Sequence, residues 1–180
     1  TILDNDAIPT IQSVSNASTP EGSDLVHTVT LSNASDTSTS FTYSLVGNTA
    51  SATDYGTAVF SNGVTLSNGN LIVPAGVTSF TITIPTIADT VHESNETIDL
   101  SVGGVAAVGT IIDNDAVPSV QSLSSASVTE GGDLIHTVVL SNTSDSVTSL
   151  SYSLVGNTAS AADFGVPTFS NGVTLSNGNL

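Results

Sequence analysis

The chain of 180 residues contains no lysine, arginine, cysteine, methionine or tryptophan, and only 4% of its residues are aromatic. Without lysine or arginine it cannot neutralise phosphate groups, which excludes nucleic acid and anionic membrane surfaces as partners. The absence of cysteine excludes disulfides and thiolate metal sites. No run of about 18 apolar residues occurs, so we expect no direct insertion into a membrane. Sixteen Asp and Glu residues give a formal net charge of -16, and such a field attracts cations.

The second part of the chain repeats the first. Residues 7–71 recur at 116–180 with about two thirds of the positions identical, at an offset of about 109 residues. The segment TILDNDAIP recurs as TIIDNDAVP, so an acidic DND tripeptide marks each boundary. We therefore predict tandem repeats: residues 1–6 end a preceding repeat, 7–115 form a complete repeat, and 116–180 form an incomplete second repeat. The pattern indicates a window on a longer array.

Apolar and polar residues alternate along several segments, of which 25–31, 80–84 and 98–102 are the clearest. Successive side chains on a strand point to opposite faces, so alternation predicts half-buried strands, and no segment has helical periodicity. The predicted fold class is all-β, with seven principal strands per repeat in an immunoglobulin-like sandwich. Strands A to G are predicted at 10–15, 25–32, 41–46, 71–73, 79–84, 97–102 and 108–112, with an inserted hairpin at 58–60 and 64–66 whose tight turns are Asn62-Gly63 and Asn68-Gly69.

The acidic residues follow the predicted topology. Successive connections alternate between the two poles of a sandwich, so the A–B, C–D and E–F connections should share a pole with the end of strand G. Two unit charges about 4 Å apart repel by roughly 1 to 4 kcal/mol, and a hard divalent cation would relieve this. Calcium accepts about six to eight oxygens from several loops, whereas zinc prefers His or Cys. We therefore predict bound Ca²⁺ with these ligands at one pole: Glu21, Asp54, Asp89, Glu93, Glu96, Asp113 and Asp115.

Four further acids would belong to partial sites whose remaining ligands lie in other repeats: Asp4, Asp6, Glu130 and Asp163. By contrast, Asp36 at the opposite pole and Asp99 on an outward strand position should be solvated. The alternative interpretation of the whole acidic set is that it is solvated and keeps an extracellular polymer soluble.

Several spaced motifs together resemble a Calx-beta domain: EG at residues 21–22, NTASATDYG, the PAG turn, TIADTVHESNETIDL and GTIIDND. They resemble more closely the Calx-beta-related tandem repeats of very large secreted, RTX-type bacterial adhesins. The resemblance implies an extracellular or cell-surface protein that binds calcium where successive domains join. It departs from the family at Ala88-Asp89, where many relatives carry two adjacent acids. The ligands that the resemblance implies are Glu21, Asp54, Asp89, Glu93, Asp113 and Asp115.

The predicted function is a calcium-stiffened structural extender repeat of an extracellular bacterial adhesin or surface filament. Its partners would be neighbouring repeats of the same chain or a homopolymer. The alternatives are a calcium-sensing regulatory Calx-beta module, and a carbohydrate- or ice-binding module that uses the outward Thr81 and Thr83. We predict no enzymatic activity, because His27 lies on an inward strand position and neighbours such as Asp24 cannot join it in a triad.

The incomplete second repeat predicts an open sandwich. By the strand assignment it has A, B, C and the inserted hairpin, but it lacks most of D and all of E, F and G. We therefore expect the inward faces of Leu134, Val138, Leu140 and Tyr152 to be open to water. The missing strands are expected from chain downstream of Leu180 or, second in preference, from another copy.

Overall fold

The computed structural model describes residues 5–180, which divide into a first unit ending at Asp115 and a second unit, Ala116–Leu180. The described residues contain strands and no helix, and therefore no helix that could span a membrane. The predicted all-β class is confirmed. Unit 1 contains β1 (Ile11–Val14), β2 (Ala17–Pro20), β3 (Asp24–Leu31), β4 (Thr39–Gly47), β5 (Val59–Phe60), β6 (Thr65–Ser67), β7 (Asn70–Val73), β8 (Ser79–Pro85), β9 (Val91–His92), β10 (Glu96–Val102) and β11 (Val105–Ile112).

Two sheets form the sandwich of unit 1. One has the order β1-β3-β8-β5 and the other the order β2-β11-β10-β4-β7-β6. The other strand pairs of these two sheets are antiparallel, whereas β2 runs parallel to β11. The alternation predicted from the sequence is confirmed, because every second residue of β3, β8 and β10 is buried. These inward residues supply most of the core: Leu25, Val29, Leu31, Phe80, Ile82, Ile84, Ile98, Leu100 and Val102.

A histidine is buried in this core. His27 is fully buried on β3, and its Nδ1 lies 2.7 Å from the carbonyl oxygen of Ser15. A carbonyl can only accept a hydrogen bond, so Nδ1 carries the proton and donates it. Nε2 is buried and has no hydrogen-bond partner among residues 5–180. The inward placement predicted for His27 is confirmed, and its ring packs against the backbone of Gly109.

Gly109→Ala is expected to destabilise unit 1 by about 1–3 kcal/mol, because a Cβ at this position overfills the core. The added atom would lie 2.4 Å from Cδ2 of Leu25 and 3.0 Å from Nε2 of His27. Urea unfolding of the whole chain measures the effect. Gly165→Ala is the control, since a Cβ at Gly165 meets nothing within 4 Å. Equal unfolding midpoints for the two variants would contradict the packing described here.

The sequence analysis missed one strand and misassigned one turn. Predicted strand A corresponds to β1, which pairs with β3. Strand β2 follows it, was not predicted, and crosses to the other sheet, where it pairs with β11. The crossing occurs at Asn16, whose Oδ1 accepts a hydrogen bond from the backbone N–H of Val108 at 2.8 Å. The predicted hairpin around Asn62-Gly63 was wrong, because β5 pairs with β8 whereas β6 pairs with β7. Asn62 has φ 56 and Gly63 has φ 74, so this turn carries the chain from one sheet to the other.

Unit 2 has less regular structure than unit 1. Its strands are β12 (Val120–Leu123), β13 (Val138–Leu140) and β14 (Thr143–Ser144), and β12 pairs antiparallel with β13. Leu134, Val138 and Leu140 are exposed, as predicted from the sequence. Tyr152 is only partly exposed, contrary to the prediction, because it packs edge-on against Phe169 with ring centroids 5.5 Å apart.

Candidate metal centre

The parallel pairing of β2 with β11 brings three acids together. Pro20 lies opposite Ile112, so the residues that follow the two strands are neighbours in space. Glu21 follows β2, and Asp113 and Asp115 follow β11; each offers a carboxylate oxygen within 4.8 Å of the others. We call these three residues the β11 cluster.

Hydrogen bonds hold the backbone of the β11 cluster in place. The N–H of Glu21 donates to the carbonyl oxygen of Ile112 at 3.0 Å. Asn114 donates from its backbone to Oε1 of Glu21 at 3.4 Å and from Nδ2 to the Glu21 carbonyl at 3.1 Å. The N–H of Asp115 donates to Oδ1 of Asp113 at 3.2 Å. The middle residue of the DND tripeptide therefore ties the end of β11 to the turn after β2, a role that the sequence analysis missed.

His92 contributes a further contact. Its Nδ1 lies 2.6 Å from Oδ2 of Asp113 and 3.1 Å from the carbonyl oxygen of Asp115. Both oxygens can only accept, so Nδ1 carries a proton and orients the Asp113 carboxylate. The sequence signal for this contact is the position of His92 beside Glu93 in the acidic E–F connection.

The β11 cluster is crowded and largely removed from water. Glu21 is 9% exposed and the side chain of Asp113 is 8% exposed. Burial raises the pKa of the Glu21 carboxyl, and the negative charge of Asp115 raises it further. Hydrogen bonds from the backbone of Asn114 and Asp89 act to lower this pKa but do not cancel the increase. Oδ2 of Asp115 is buried and receives no hydrogen bond from residues 5–180. Three crowded carboxylates and one buried oxygen without a donor fit a hard cation bound by oxygen.

Asp54, Glu93 and Glu96 form a second group, the loop cluster, whose carboxylate oxygens also lie within 4.8 Å of one another. Here local donors serve the carboxylate of Asp54, which accepts from the N–H of Ser51 at 2.5 Å and from Oγ1 of Thr53 at 3.1 Å. Burial acts to raise the pKa of Asp54. Hydrogen bonds donated by Ser51 and Thr53, together with a hydrogen bond shared with the Glu96 carboxyl, outweigh burial, and the pKa is lowered. The two clusters therefore differ in how their negative charge is stabilised.

The other predicted ligands lie outside both clusters. Asp89 is exposed, and its Oδ1 accepts the N–H of Val91 at 2.7 Å. In unit 2, Asp163 accepts the N–H of Ser160 at 2.6 Å, which lowers its pKa as at Asp54. Asp6, Glu130 and Asp163 are exposed, and Asp4 lies outside the described residues. Metal binding by any of these acids stays a prediction.

The turn after Glu21 requires glycine. Gly22 has φ +74, and a Cβ there would lie 2.8 Å from Cβ of Ala88. Ala88 is the residue at which the sequence departs from the Calx-beta pattern, and it packs closely against this turn. The small side chains at both positions let the E–F connection approach the β11 cluster.

No family model matches the chain, and no curated protein matches it. A solved structure that it resembles is the sixth cohesin of scaffoldin B from Acetivibrio cellulolyticus, in complex with a mutant Cel5 dockerin. The two are 16% identical, the match covers 59% of this chain and 99% of the cohesin chain, and the TM-score is 0.25. The chain is an all-β sandwich protein on the strength of its own strand pairing and burial.

Proposed function

We propose that unit 1 binds Ca²⁺ at the β11 cluster, and that the ion fixes the segment by which the chain leaves the unit. The observation that carries this proposal is the partly buried cluster of three carboxylates, in which the buried Oδ2 of Asp115 receives no hydrogen bond from residues 5–180. Glu21 would contribute from the turn after β2, while Asp113 and Asp115 would contribute from the segment after β11. A cation shared by these residues ties the end of the last strand to the body of the sandwich.

The ligand chemistry favours calcium. The cluster offers oxygen from separate loops, a set that suits the loose coordination of calcium better than the strict octahedron of magnesium. Zinc would prefer cysteine or histidine ligands, but the chain has no cysteine. We propose the loop cluster as a second, weaker site, because the Asp54 oxygens already accept hydrogen bonds from Ser51 and Thr53.

The biological role that we propose is that of a structural extender repeat in an extracellular adhesin or surface filament. Support comes from the 109-residue repetition, the uniformly negative charge and the position of the β11 cluster at the end of unit 1. Without the ion, carboxylate repulsion opposes the hydrogen bonds of Asn114 and loosens the 113–115 segment. With the ion, that segment is held and bending between successive repeats is restricted. Calcium sites of extracellular modules have dissociation constants of roughly 0.1 to 1 mM. In this proposal the repeat performs no catalysis.

Isothermal titration calorimetry of the whole chain with CaCl₂ in metal-free buffer tests the site. Asp115→Asn is expected to weaken binding by at least about tenfold, the loss that even outer-shell partners of a metal site can cause. Asp36→Asn removes the same charge from an exposed position and is expected to leave the affinity unchanged. Equal affinities for wild type and Asp115→Asn would overturn the assignment of the β11 cluster.

Small-angle X-ray scattering tests the stiffening separately. Calcium is expected to narrow the distribution of end-to-end distances of the whole chain, and chelator is expected to broaden it. An unchanged distribution in a sample shown to bind calcium would contradict the mechanical role and leave the ion site intact.

A further inference from the structure

The segment by which the chain enters unit 1 is bound to both of its sheets. We call residues 11–21 the entry segment. Its strand β1 pairs antiparallel with β3 in one sheet, and its strand β2 pairs in parallel with β11 in the other. Since β11 is the last strand of the unit, the entry and exit strands are direct neighbours. Four residue pairs join them, from Ala17 opposite Gly109 to Pro20 opposite Ile112.

Hydrogen bonds extend the contact between β2 and β11 beyond the two paired stretches. Before β2, Oδ1 of Asn16 accepts the backbone N–H of Val108 at 2.8 Å. After β2, the N–H of Glu21 donates to the carbonyl oxygen of Ile112 at 3.0 Å. Nδ2 of Asn114 donates to the carbonyl oxygen of Glu21 at 3.1 Å. The contact therefore begins one residue before β2 and ends one residue after it.

The point at which the entry segment crosses between the sheets is held by β3. The N–H of Ser15 donates to the carbonyl oxygen of Thr28 at 2.9 Å, and Oγ of Ser15 accepts the N–H of Thr28 at 2.8 Å. The fully buried His27 donates from Nδ1 to the carbonyl oxygen of Ser15 at 2.7 Å. The backbone N–H, the carbonyl and the hydroxyl of Ser15 are thus all bonded to β3, directly before the chain crosses to β11. His27 therefore holds the entry segment, a role for this buried ring that involves no metal.

The parallel direction of β2 and β11 determines how their contact responds to tension. Because the two strands run in the same direction, the chain enters at one end of the pair and leaves at the other. Tension between these two points pulls β2 and β11 in opposite directions along their axes, so the hydrogen bonds between them carry the load at the same time. If the entry and exit strands were antiparallel, both points would lie at the same end of the pair and the bonds would open one after another.

We propose a further function for unit 1: the entry segment and β11 form a mechanical clamp that resists unfolding when the chain is under tension. The clamp joins the entry segment to both sheets, so β1 must leave β3 and β2 must leave β11 before tension can open the core. Forced unfolding is governed by the unfolding rate and not by equilibrium stability alone. That the chain carries tension rests on the proposed extender role, whereas the clamp itself rests on strand pairing and does not depend on calcium.

Single-molecule force spectroscopy of the whole chain tests the clamp by changing only the direction of pulling. The chain has no cysteine, so introduced cysteines attach the handles at chosen positions. Ile8→Cys with Val117→Cys, both at exposed positions, pulls β2 and β11 along their axes. Ile8→Cys with Ala106→Cys, an exposed position near the start of β11, pulls both strands from the same end. At equal force in chelator, we expect unit 1 to survive at least about tenfold longer in the first geometry, because several hydrogen bonds must break together.

A side-chain variant tests the clamp within the first geometry. Asn16→Ala removes the acceptor of the Val108 N–H and is expected to shorten the lifetime of unit 1 under force by about fivefold. Asn33→Ala is the matched control: Nδ2 of Asn33 donates to the carbonyl oxygen of Ala7 at 2.7 Å. Since Ala7 precedes the attachment point at residue 8, this bond carries no load and the lifetime should not change.

Two results would overturn the clamp. One is equal lifetimes in the two pulling geometries, and the other is an Asn16→Ala lifetime equal to that of the chain that carries only the handle cysteines. Because every lifetime is measured in chelator, these results are separate from a failure of calcium binding, which the calorimetric titration detects.

Discussion

Leu25→Ala is expected to lower the free energy of unfolding of unit 1 by about 2–5 kcal/mol, the range for removing a buried leucine side chain from a packed core. Leu25 is fully buried on β3, between the inward residues of the two sheets, and its Cδ2 approaches Gly109 closely. The methyl groups removed leave a cavity that neither paired sheet can close without losing strand hydrogen bonds. Differential scanning calorimetry or urea unfolding of the whole chain measures the loss.

The repeat provides a matched control for this substitution. Leu134 occupies the same position in unit 2 and carries the same local sequence, Asp-Leu before an apolar residue and His, but it is 53% exposed. Leu134→Ala is therefore expected to change stability by less than about 0.5 kcal/mol. Comparable losses for the two variants would show that Leu134 is buried in solution.

Glu21→Gln is expected to change the melting temperature in opposite directions with and without calcium. In chelator, the pKa of Glu21 is raised by burial and by the charge of Asp115. A raised pKa means that Glu21 favours the folded state below the ordinary pKa of a glutamate and that this contribution is lost as the pH rises through the raised value. At pH 7 the ionised Glu21 therefore opposes folding, and glutamine should leave the melting temperature unchanged or raise it.

With calcium bound, the same substitution is expected to lower the melting temperature. If free calcium exceeds the dissociation constant by about 100-fold, binding adds about 2.7 kcal/mol to the stability of the wild type. Glu21→Gln removes one of three carboxylates and should lose most of this gain. Asp99→Asn, an exposed change on β10, should keep it. Thermal scans at pH 7 in chelator and in calcium measure both effects, and a variant that keeps the calcium gain would exclude Glu21 as a ligand.

Local sequence was sufficient for the central strands of unit 1 and for the side chains that they bury. Alternation predicted the buried residues of β3, β8 and β10, because the twofold side-chain period of a strand is a local property. It also placed His27 in the core. The Asn68-Gly69 dipeptide correctly marked the β6–β7 hairpin, since both residues adopt the positive φ that such a turn requires.

Local sequence did not predict which distant strands pair with each other. The sequence analysis did not predict β2, which follows predicted strand A and pairs with β11, about 90 residues away along the chain. The Asn62-Gly63 turn has the same dipeptide as Asn68-Gly69 but changes sheets, because β5 pairs with β8. The dipeptide specifies the backbone angles of a turn, whereas the partners of the flanking strands are set by long-range contacts.

The acids illustrate the same division. The sequence by itself determined that seven carboxylates follow one set of connections in a chain without lysine or arginine. Only the tertiary structure divided six of them into the β11 cluster and the loop cluster and left Asp89 hydrogen-bonded to its own loop. The parallel pairing of β2 with β11 places Glu21 beside Asp113 and buries the oxygen of Asp115. Loop order along a chain limits which residues share a pole, but strand register determines which oxygens come within reach of one ion.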